Sequence, residues 1–560
     1  MNRWLATLLV FCLLAAALAQ DATPVPTLAV PTLLPAAMPE APSRPSQSAI
    51  ADISARGVFR VGVLYNNPPY SELTWQGELT GFDIELLREI AAGWGVEVAF
   101  SQVTRMNAID ALQRGDVHAL ASALLHYRGY EDEIEFTQRY LVGHQAVMAR
   151  ADSPLQAPDE LAGVKAGVVI GTRAEMALGL WREHSGITPE TRPFFTLDRA
   201  FAALRLGEID ALLAEEQSLL RVAGEELPHV RILDEPLLRE PHAFAVRRHD
   251  APLRQLLNRS IQHLAETQQI ELLQREYFPD LARDADTIVV WQHVGEEVTP
   301  SQFAAEISAP AESTLTRLLE GEALRVAGLE ADMPHVAALN RALVTEMARR
   351  WAVPVVESAV SADAVLQSLR QGEVDLVAGV KLDWQMAGGI NFSMPYLLQG
   401  DRLMVPARSQ VANFYDLRNR IVAVMLGDDK AWQRAQAWAD SINITIRRFD
   451  TTLRGAAQTL LEHNNANAVF ANSLQLVDHL NTNPGTLKLT ERWYSHDYYA
   501  FALGYNDPDF RQLVNYTLQE VILDGSLARM TGGLLLGGDL PDFSITPGSS
   551  QFVGLNLASA

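Results

Sequence analysis

The sequence predicts an α/β protein of two tandem domains, each built from two α/β lobes joined by crossover strands. Residues 243–246 (AFAV) return as residues 500–503 (AFAL), and residues 253–258 (LRQLLN) return as residues 510–515 (FRQLVN). The differences 500 − 243 and 510 − 253 both equal 257, and a common offset for separate segments indicates a duplicated domain. Within each copy, short β-branched runs alternate with amphipathic helical stretches, which is typical of α/β layers.

Further matches keep nearly the same register along both copies. They pair residues 60–61 with 325–326, 115–117 with 372–374, 135–137 with 391–393, and Gly171 with Gly427. Positions that are alike in both copies indicate the fold. Polar positions present in only one copy are candidates for ligand chemistry.

The elements of the first copy follow from hydrophobic periodicity. The predicted order is strand 59–64, helix 83–94, strand 96–100, crossover strand 145–150, strand 164–170, a tight turn at Gly171-Thr172, helix 173–181 and crossover strand 242–247. The second strand–helix series begins about halfway, which predicts two lobes per copy. Between the copies, the composition of residues 287–291 (TIVVW) is compatible with one additional strand.

The N-terminus has the pattern of a cleaved secretory signal. One cation, Arg3, precedes an apolar run over residues 4–16, and small residues follow at 17 and 19. The alternative, a membrane anchor, is disfavoured because the run is shorter than the roughly 20 apolar residues a span needs. The only cysteine, Cys12, lies inside this segment, so we expect a disulfide-free, secreted or periplasmic protein, or one at the extracytoplasmic cell surface.

Composition divides the rest of the chain and limits its partners. We predict a signal peptide at 1–19, a Pro-rich linker at 20–48, domain 1 at 49–282, a linker at 283–312, domain 2 at 313–537 and a loosely ordered tail at 538–560. The formal net charge of −23 disfavours nucleic acid and anionic lipid as partners. Small solutes or proteins are therefore expected instead.

Residues 81–91 (GFDIELLREIA) resemble the signature of the polar amino-acid-type extracellular solute-binding proteins, family 3, which are receptors of ABC importers. Further family-like elements follow in order: PPY at 68–70, EFT at 135–137, LAG at 161–163, GT at 171–172, GEIDA at 207–211 and EYF at 276–278. The resemblance covers about residues 49–279. It implies domains of the periplasmic-binding-protein-like type 2 fold that capture a small polar solute, an amino acid or a related compound.

The second copy, residues 313–533, resembles the family more faintly. It keeps NFSMPY at 391–396 but lacks the signature, with residues 337–351 in its place. The family's ligand positions correspond here to Met386, Asp428 after Gly427, and Asn472, and Asn467 replaces Asp210. Asp428 at a helix start would repel a carboxylate. We therefore expect this copy to bind no amino acid and to serve as a scaffold, a dimerisation partner or a binder of something else.

The first copy keeps two groups suited to an amino acid. Gly171 and Thr172 open a helix after a strand, where free N–H groups and the helix dipole favour an anion such as a carboxylate. Glu215 corresponds to the family's aspartate, which binds the ligand's ammonium group. The alternatives are a simple capped turn at Thr172 and a solvated acid at Glu215.

Aromatic and polar side chains complete the expected site. By the resemblance, Tyr65 or Tyr70 covers the ligand and Ser122 lines it, whereas Trp75 is assigned to packing or the surface. The family's clamp arginine and threonine correspond to Tyr130 and Tyr127, and a tyrosine cannot supply a guanidinium fork. Arg128, two residues from the arginine position, is the candidate replacement.

The preferred function is a non-enzymatic binding protein that presents its ligand to an ABC permease or a membrane receptor. The first alternative is an enzyme like the family's cyclohexadienyl or arogenate dehydratases, which the altered clamp disfavours. The second is a structural or adhesion protein with no ligand. No cofactor is expected, and His126 and His144 are isolated histidines that do not indicate a metal site.

Overall fold

The computed structural model of the protein describes residues 47–122, 125–126, 128–279, 288–307, 312–330, 334–358, 360, 364–426, 428–449, 465–482 and 485–531. The predicted signal peptide, most of the Pro-rich linker and the C-terminal tail lie outside these residues. Among the described residues, no helix is both long and apolar enough to cross a membrane.

The first repeat alternates strands with helices, as its sequence predicts. In chain order its elements are α1 (Ala49–Arg56), β1 (Val58–Val63), β2 (Asn66–Asn67), β3 (Ser71–Leu73), β4 (Leu79–Thr80), α2 (Phe82–Trp94), β5 (Glu97–Gln102), α3 (Ala108–Arg114), β6 (Ala119–Leu120), β7 (Ile134–Phe136), β8 (Leu141–Arg150), β9 (Lys165–Val169), α4 (Arg173–Ser185), β10 (Glu190–Phe194), α5 (Leu197–Arg205), β11 (Ala211–Glu215), α6 (Glu216–Ala223), β12 (Val230–Ile232), β13 (Leu238–His242), β14 (Ala245–Arg247), α7 (Ala251–Glu266) and α8 (Gln269–Tyr277). Short 3-10 turns lie at Arg128–Tyr130, Pro158–Leu161 and Gly224–His229.

The second repeat continues the numbering. It contains α9 (Thr314–Leu319), β15 (Leu324–Ala327), α10 (Pro334–Trp351), β16 (Val355–Glu357), α11 (Val365–Arg370), β17 (Leu376–Lys381), β18 (Ile390–Phe392), β19 (Leu397–Gln399), β20 (Asp401–Pro406), β21 (Ile421–Met425), α12 (Asp429–Ile442), β22 (Thr445–Phe449), β23 (Ala468–Asn472), α13 (Ser473–Thr482), β24 (Leu487–Leu489), β25 (Asp497–Gly504), α14 (Pro508–Leu523) and α15 (Ser526–Thr531). Two 3-10 turns lie at Pro300–Gln302 and Phe414–Leu417.

Each repeat forms two sheets with the same strand order. In the first repeat these are β5-β1-β6-β14-β7 and β10-β9-β11-β8-β12, with β13 paired to β8. In the second they are β16-β15-β17-β25-β18 and β22-β21-β23-β20-β24. The predicted α/β fold with two repeated domains, each of two lobes, is therefore confirmed.

The crossover strands pair slightly upstream of their predicted positions. Leu141 to Gln145 of β8 run antiparallel to Leu238 to His242 of β13. The rest of β8 instead joins β11 and β12 inside the second lobe, and β14 joins the first lobe. The hinge between the lobes therefore lies where β8 and β13 meet.

Buried polar contacts repeat between the copies together with the sheets. The indole Nε1 of Trp94 donates to Ser260 Oγ at 2.8 Å, and that of Trp351 donates to Thr517 Oγ1 at 2.8 Å. Helix α10 thus occupies the place of the signature helix α2 without its sequence. The apolar face of a helix needs only residues of suitable size to pack on its sheet, so the helix survives the loss of the signature.

The prediction of a strand at residues 287–291 was wrong. Residue 287 lies outside the described residues, and 288–291 form no strand. The Trp291 ring stacks on Trp384 with centroids 4.3 Å apart, and the Gln262 Oε1 accepts hydrogen bonds from Trp291 N and Trp384 Nε1. These β-branched and aromatic residues fill the space between the repeats instead of extending a sheet.

Candidate functional site

Glu215 lies at the meeting point of the two lobes of the first repeat. It ends β11 in the second lobe, and the hydroxyl of Tyr70 from the first lobe donates to its Oε1 at 2.7 Å. Ser218 donates to Oε2 at 3.3 Å. Burial raises the pKa of Glu215, whereas Arg173 and the Tyr70 hydrogen bond act to lower it. This carboxylate is thus partly desolvated and held in place by both lobes.

Tyr70 holds this contact from a rigid position. Its side chain is 1% exposed, and its ring stacks on His242 with centroids 4.5 Å apart and packs on Phe278. Burial raises the pKa of Tyr70 and lowers that of His242, so both groups are neutral at physiological pH. The ring of Tyr70 is therefore part of the hinge, and its hydroxyl is the part that reaches Glu215.

Arg173 brings a guanidinium group next to this carboxylate. It is the first residue of α4, and its Nη2 donates to Glu240 Oε2 at 2.8 Å. Glu240 is 1% exposed, lies on the crossover strand β13, and also accepts from Gln145 Nε2 at 2.9 Å. Sequence reasoning missed both Arg173 and Glu240, because each looks like an ordinary surface charge until the crossover strands and α4 meet.

Arg105 is a second guanidinium group that sequence reasoning missed. It follows β5 at the carboxyl edge of the first-lobe sheet, the edge where open α/β sheets bind ligands. The pKa of Arg105 is lowered, mainly by desolvation and further by Arg173. Tyr130, Glu215 and Glu240 oppose this shift without reversing it. Among the described residues, Arg105 has neither a hydrogen-bond partner nor a salt bridge. A charged side chain of the first lobe thus lies within electrostatic range of the second-lobe cluster.

The predicted anion site at the start of α4 is solvent-exposed and engaged by the chain itself. Gly171 has a left-handed φ of 72°, and its N–H donates to Glu175 Oε2 at 2.8 Å. The hydroxyl of Thr172 donates to the carbonyl of Val169 at 2.7 Å. An anion could bind here if Glu175 moves away from Gly171.

Ser122 lies beside the buried signature aspartate. It is 7% exposed with a φ of 53°, in the left-handed region where a residue other than glycine carries strain. Its Oγ accepts from Ser71 at 2.8 Å, and its backbone hydrogen-bonds to Asp83. Burial raises the pKa of Asp83 to about 7, although the Tyr140 and Ser122 hydrogen bonds act to lower it.

The surroundings of four other sequence-selected side chains differ from one another. Tyr65 packs at the edge of the first-lobe core, and Tyr130 packs beside α3. The Arg128 guanidinium lies 3.9 Å from the ring centroid of Tyr516 in the second repeat. Arg128 was expected at the ligand clamp, but its guanidinium group instead stacks on Tyr516 and is directed toward the other repeat. Trp75 is 92% exposed, at the surface.

The corresponding positions of the second repeat are used for local structure. Asp428 Oδ1 accepts from Ala431 N at 3.0 Å and caps α12, and Asn472 Oδ1 accepts from Leu474 N at 3.1 Å. Asn467 Oδ1 accepts from Ile421 N at 3.0 Å, and Met386 packs in an apolar cluster. Tyr127 and Gly427 lie outside the described residues. No group of potential metal ligands occurs in the described part of either repeat.

Comparison with known proteins gives the family. Residues 59–280 and residues 320–532 each match the profile of the bacterial extracellular solute-binding proteins, family 3. The chain is 27% identical to the histidine-binding periplasmic protein of Escherichia coli K12 over 233 residues, which cover 39% of this chain and 87% of that protein. It is 22% identical to the L-cystine-binding protein TcyJ of the same strain over 228 residues, 40% of this chain and 84% of that protein.

A solved structure of an ancestral cationic amino acid solute-binding protein is 27% identical, with a TM-score of 0.36, covering 41% of this chain and 100% of its own. A mutant of ArgBP from T. maritima is 25% identical, with a TM-score of 0.33, covering 41% of this chain and 100% of its own. The two profile matches together span more than half of the sequence. The protein therefore belongs to the bacterial extracellular solute-binding proteins, family 3, and carries two copies of the family domain in one chain.

Proposed function

We propose that the first repeat captures an amino acid or a closely related zwitterion between its lobes and presents it to an ABC permease. The observation that carries this proposal is the charged cluster between the lobes. Glu215 and Arg173 come from the second lobe, whereas Tyr70 and Arg105 come from the first. A cleft that closes around a zwitterion needs such opposite charges on facing surfaces.

In this arrangement Glu215 receives the ligand's ammonium group. Its partly desolvated carboxylate forms a stronger charge-assisted bond than a solvated acid would. The ligand's ammonium group would donate a hydrogen bond to Glu215 Oε1, the oxygen that accepts from the Tyr70 hydroxyl. This role favours ligands with a free amino group.

Arg105 supplies the guanidinium group that Tyr130 cannot. It has no salt bridge among the described residues, so it can pair with a carboxylate without first breaking one. Gly171 and Thr172 at the start of α4 provide the second contact once Glu175 moves away. Ser122 and Tyr65 line the first-lobe side, and Arg128 would contribute only after leaving Tyr516.

The second repeat acts as a scaffold in this proposal. Asp428 and Asn472 stand where Thr172 and Glu215 stand in the first repeat, and both cap helices. Neither the ammonium-binding nor the carboxylate-binding chemistry remains at these positions.

Thermal unfolding of the chain without residues 1–19, measured against a panel of amino acids, amines and small carboxylates, tests the proposal. A ligand at about 100 times its Kd should add on the order of 2.7 kcal/mol to the stability of the repeat that binds it. Glu215→Ala should abolish the shift, and the matched variant Asn472→Ala should retain it. If no compound raises the melting temperature, or if both variants lose the shift equally, the proposed ligand site is wrong.

The role of Arg105 has its own test with the ligand found in that panel. Arg105→Gln should weaken binding at least about tenfold, which corresponds to about 1.4 kcal/mol, but should leave binding of the ligand's amide analogue nearly unchanged. Arg114→Gln, at an exposed arginine paired with Asp116, is the control. Equal losses for acid and amide would contradict the carboxylate role.

Presentation to a permease is tested in the producing cell. Deletion of the gene should abolish uptake of the radiolabelled ligand, and the wild-type gene, but not the Glu215→Ala variant, should restore it. Unchanged uptake together with confirmed ligand binding would favour a sensing or surface role over transport.

A further inference from the structure

The two repeats contact each other through equivalent surfaces. Arg254 on α7 donates from Nη2 to Asn391 Oδ1 at 2.8 Å, and Arg511 on α14 donates from Nη2 to Glu135 Oε1 at 2.8 Å. The two arginines are 511 − 254 = 257 residues apart, the spacing of the repeat. Such an exchange of equivalent contacts is the geometry of a twofold dimer interface, here within one chain.

A cavity of about 180 Å³ lies in this interface. Its walls contain equivalent residues from the two repeats, namely Phe136 with Phe392, Arg254 with Arg511, and Asn258 with Asn515. One water needs only roughly 10–15 Å³ of such volume, so this cavity can hold an organic molecule. Neither Glu215 nor Arg173 is among its walls, so the cavity is separate from the cleft of the first repeat.

The walls combine an apolar surface with cationic groups. Phe136, Phe392, Trp291 and Met394 supply the apolar part. Arg254 and Arg511 share one counterion, Glu135, which is 2% exposed. The carboxylate that lines the cavity itself, Glu131, contacts His126 at 2.7 Å, so Arg254 and Arg511 have one carboxylate between them.

The hydrogen bonding of these walls is incomplete within the described residues. The Nε atoms of Arg254 and Arg511, the hydroxyl of Tyr516 and the Nε2 of Gln138 are buried and have no hydrogen-bond partner there. Tyr516 and Gln138 line the cavity together with the two arginines. Glu131 Oε2 is a buried acceptor in the same walls that also has no partner among the described residues. Each unsatisfied atom costs about 1–3 kcal/mol, so a molecule that places an acceptor at the arginines, away from Glu131, is favoured.

We propose that this cavity is a second ligand site, which takes a small organic monoanion with an aromatic or branched apolar body. The carboxylate pairs with Arg254 and Arg511, away from Glu131. The body packs against Trp291 and the paired phenylalanines. Because both repeats form the walls, the bound molecule also stabilises their association.

Fluorine NMR of the full chain labelled with 5-fluorotryptophan tests this site, because Trp291 lines it. The probes are benzoate and phenylacetate, with benzyl alcohol as the uncharged control and acetate as the control without an apolar body. The Trp291 signal, assigned with Trp291→Phe, should shift saturably with at least one aromatic acid at up to millimolar concentration. It should not shift saturably with either control.

Two variants locate the binding. Val289→Phe, which enlarges a side chain in the cavity wall on the irregular segment between the repeats, should weaken the response at least about tenfold, and Arg511→Gln should do the same if it folds. Glu215→Ala, in the cleft, should leave the response unchanged. No saturable shift with either acid, an equal shift with benzyl alcohol, or loss of the shift in Glu215→Ala would overturn the proposal.

Discussion

In the first repeat the segment from β1 to α2 carries Tyr65 and Tyr70, and in the second repeat the corresponding segment is eight residues shorter. Arg60 and Arg325 are 265 residues apart, whereas Asp83 and Asn340 are 257 apart, and 265 − 257 = 8. The buried scaffold on either side of this deletion is the same in both copies. The comparison shows that this fold tolerates a shorter loop between β1 and α2, because its stability resides in the sheets and the helices that cover them.

One buried charge position shows how the copies can differ without loss of structure. His118 in the first repeat contacts Asp52 of α1 at 2.9 Å. In the second repeat the equivalent position is Asp375, which pairs with Arg317 of α9. In the first repeat the acidic residue of this pair lies on the first helix, whereas in the second repeat it directly precedes strand β17. What both copies retain is a contact between the first helix and the sheet.

The largest expected difference between the copies is in the stability lost when equivalent residues of the interface between them are replaced. Glu135→Ala should cost about 3–5 kcal/mol, because it leaves the buried Arg254 and Arg511 without their shared counterion. Asn391→Ala, the equivalent change in the second repeat, removes a neutral acceptor and should cost about 1–3 kcal/mol. Urea unfolding of both variants measures this. Equal losses would mean that the two halves of the interface contribute alike.

A smaller difference should appear as a dependence on pH. Burial raises the pKa of Asp83 from 3.8 to about 7, so the folded state binds more protons than the unfolded state between these values. The stability of the first repeat should therefore fall as the pH rises from about 4 to about 7, by roughly 4 kcal/mol at most.

Asp83→Asn should flatten that profile, since an amide does not titrate. In the second repeat, Asn340 already accepts the Tyr396 hydroxyl at 2.6 Å, so an amide can make this contact. Asn340→Asp should then introduce the pH dependence into the second repeat. Melting temperatures measured from about pH 4 to pH 8 provide the check, and parallel profiles for the wild type and Asp83→Asn would contradict the assignment.

The smallest difference is expected at the first helix of each repeat. Ser48 Oγ donates to Asp250 and accepts from Ile50 N, and Ser313 Oγ donates to Asp507 and accepts from Leu315 N. Ser48→Ala and Ser313→Ala should each cost about 1 kcal/mol, as for other helix caps. Because the contacts are alike, calorimetry should show equal losses. A twofold difference would show that the caps are not equivalent.

The sequence predicts the scaffold well because the scaffold is encoded locally. Helix α2 was expected from residue 83 and begins at Phe82, since its apolar spacing and the following Gly95 mark its ends. The duplication fixes the tandem arrangement in the same way, through repeated short segments. The segment that ends at Trp291 is an exception. Its β-branched residues are typical of a strand, but they pack between the two domains instead.

The site is less predictable because its charges come from distant segments. Arg105 and Glu240 lie 135 positions apart in the sequence, and only the folded hinge brings them within electrostatic range. The motif reasoning that selected Arg128 relied on proximity in sequence to Tyr130. In the structure Arg128 is directed to Tyr516, so a two-residue spacing did not place the guanidinium in the cleft.

The contact between the repeats has a consequence for how this protein can vary. In a symmetric pair of identical subunits, every substitution at the interface is present in both subunits, so it must be compatible with both halves of the interface. In a single chain it occurs once, and the partner surface is always present at a high effective concentration. Glu135 and Asn391 can therefore differ at equivalent positions, with Arg511 hydrogen-bonded to a carboxylate and Arg254 to an amide. Fusion of the copies thus permits a division of labour that two separate identical subunits could not adopt.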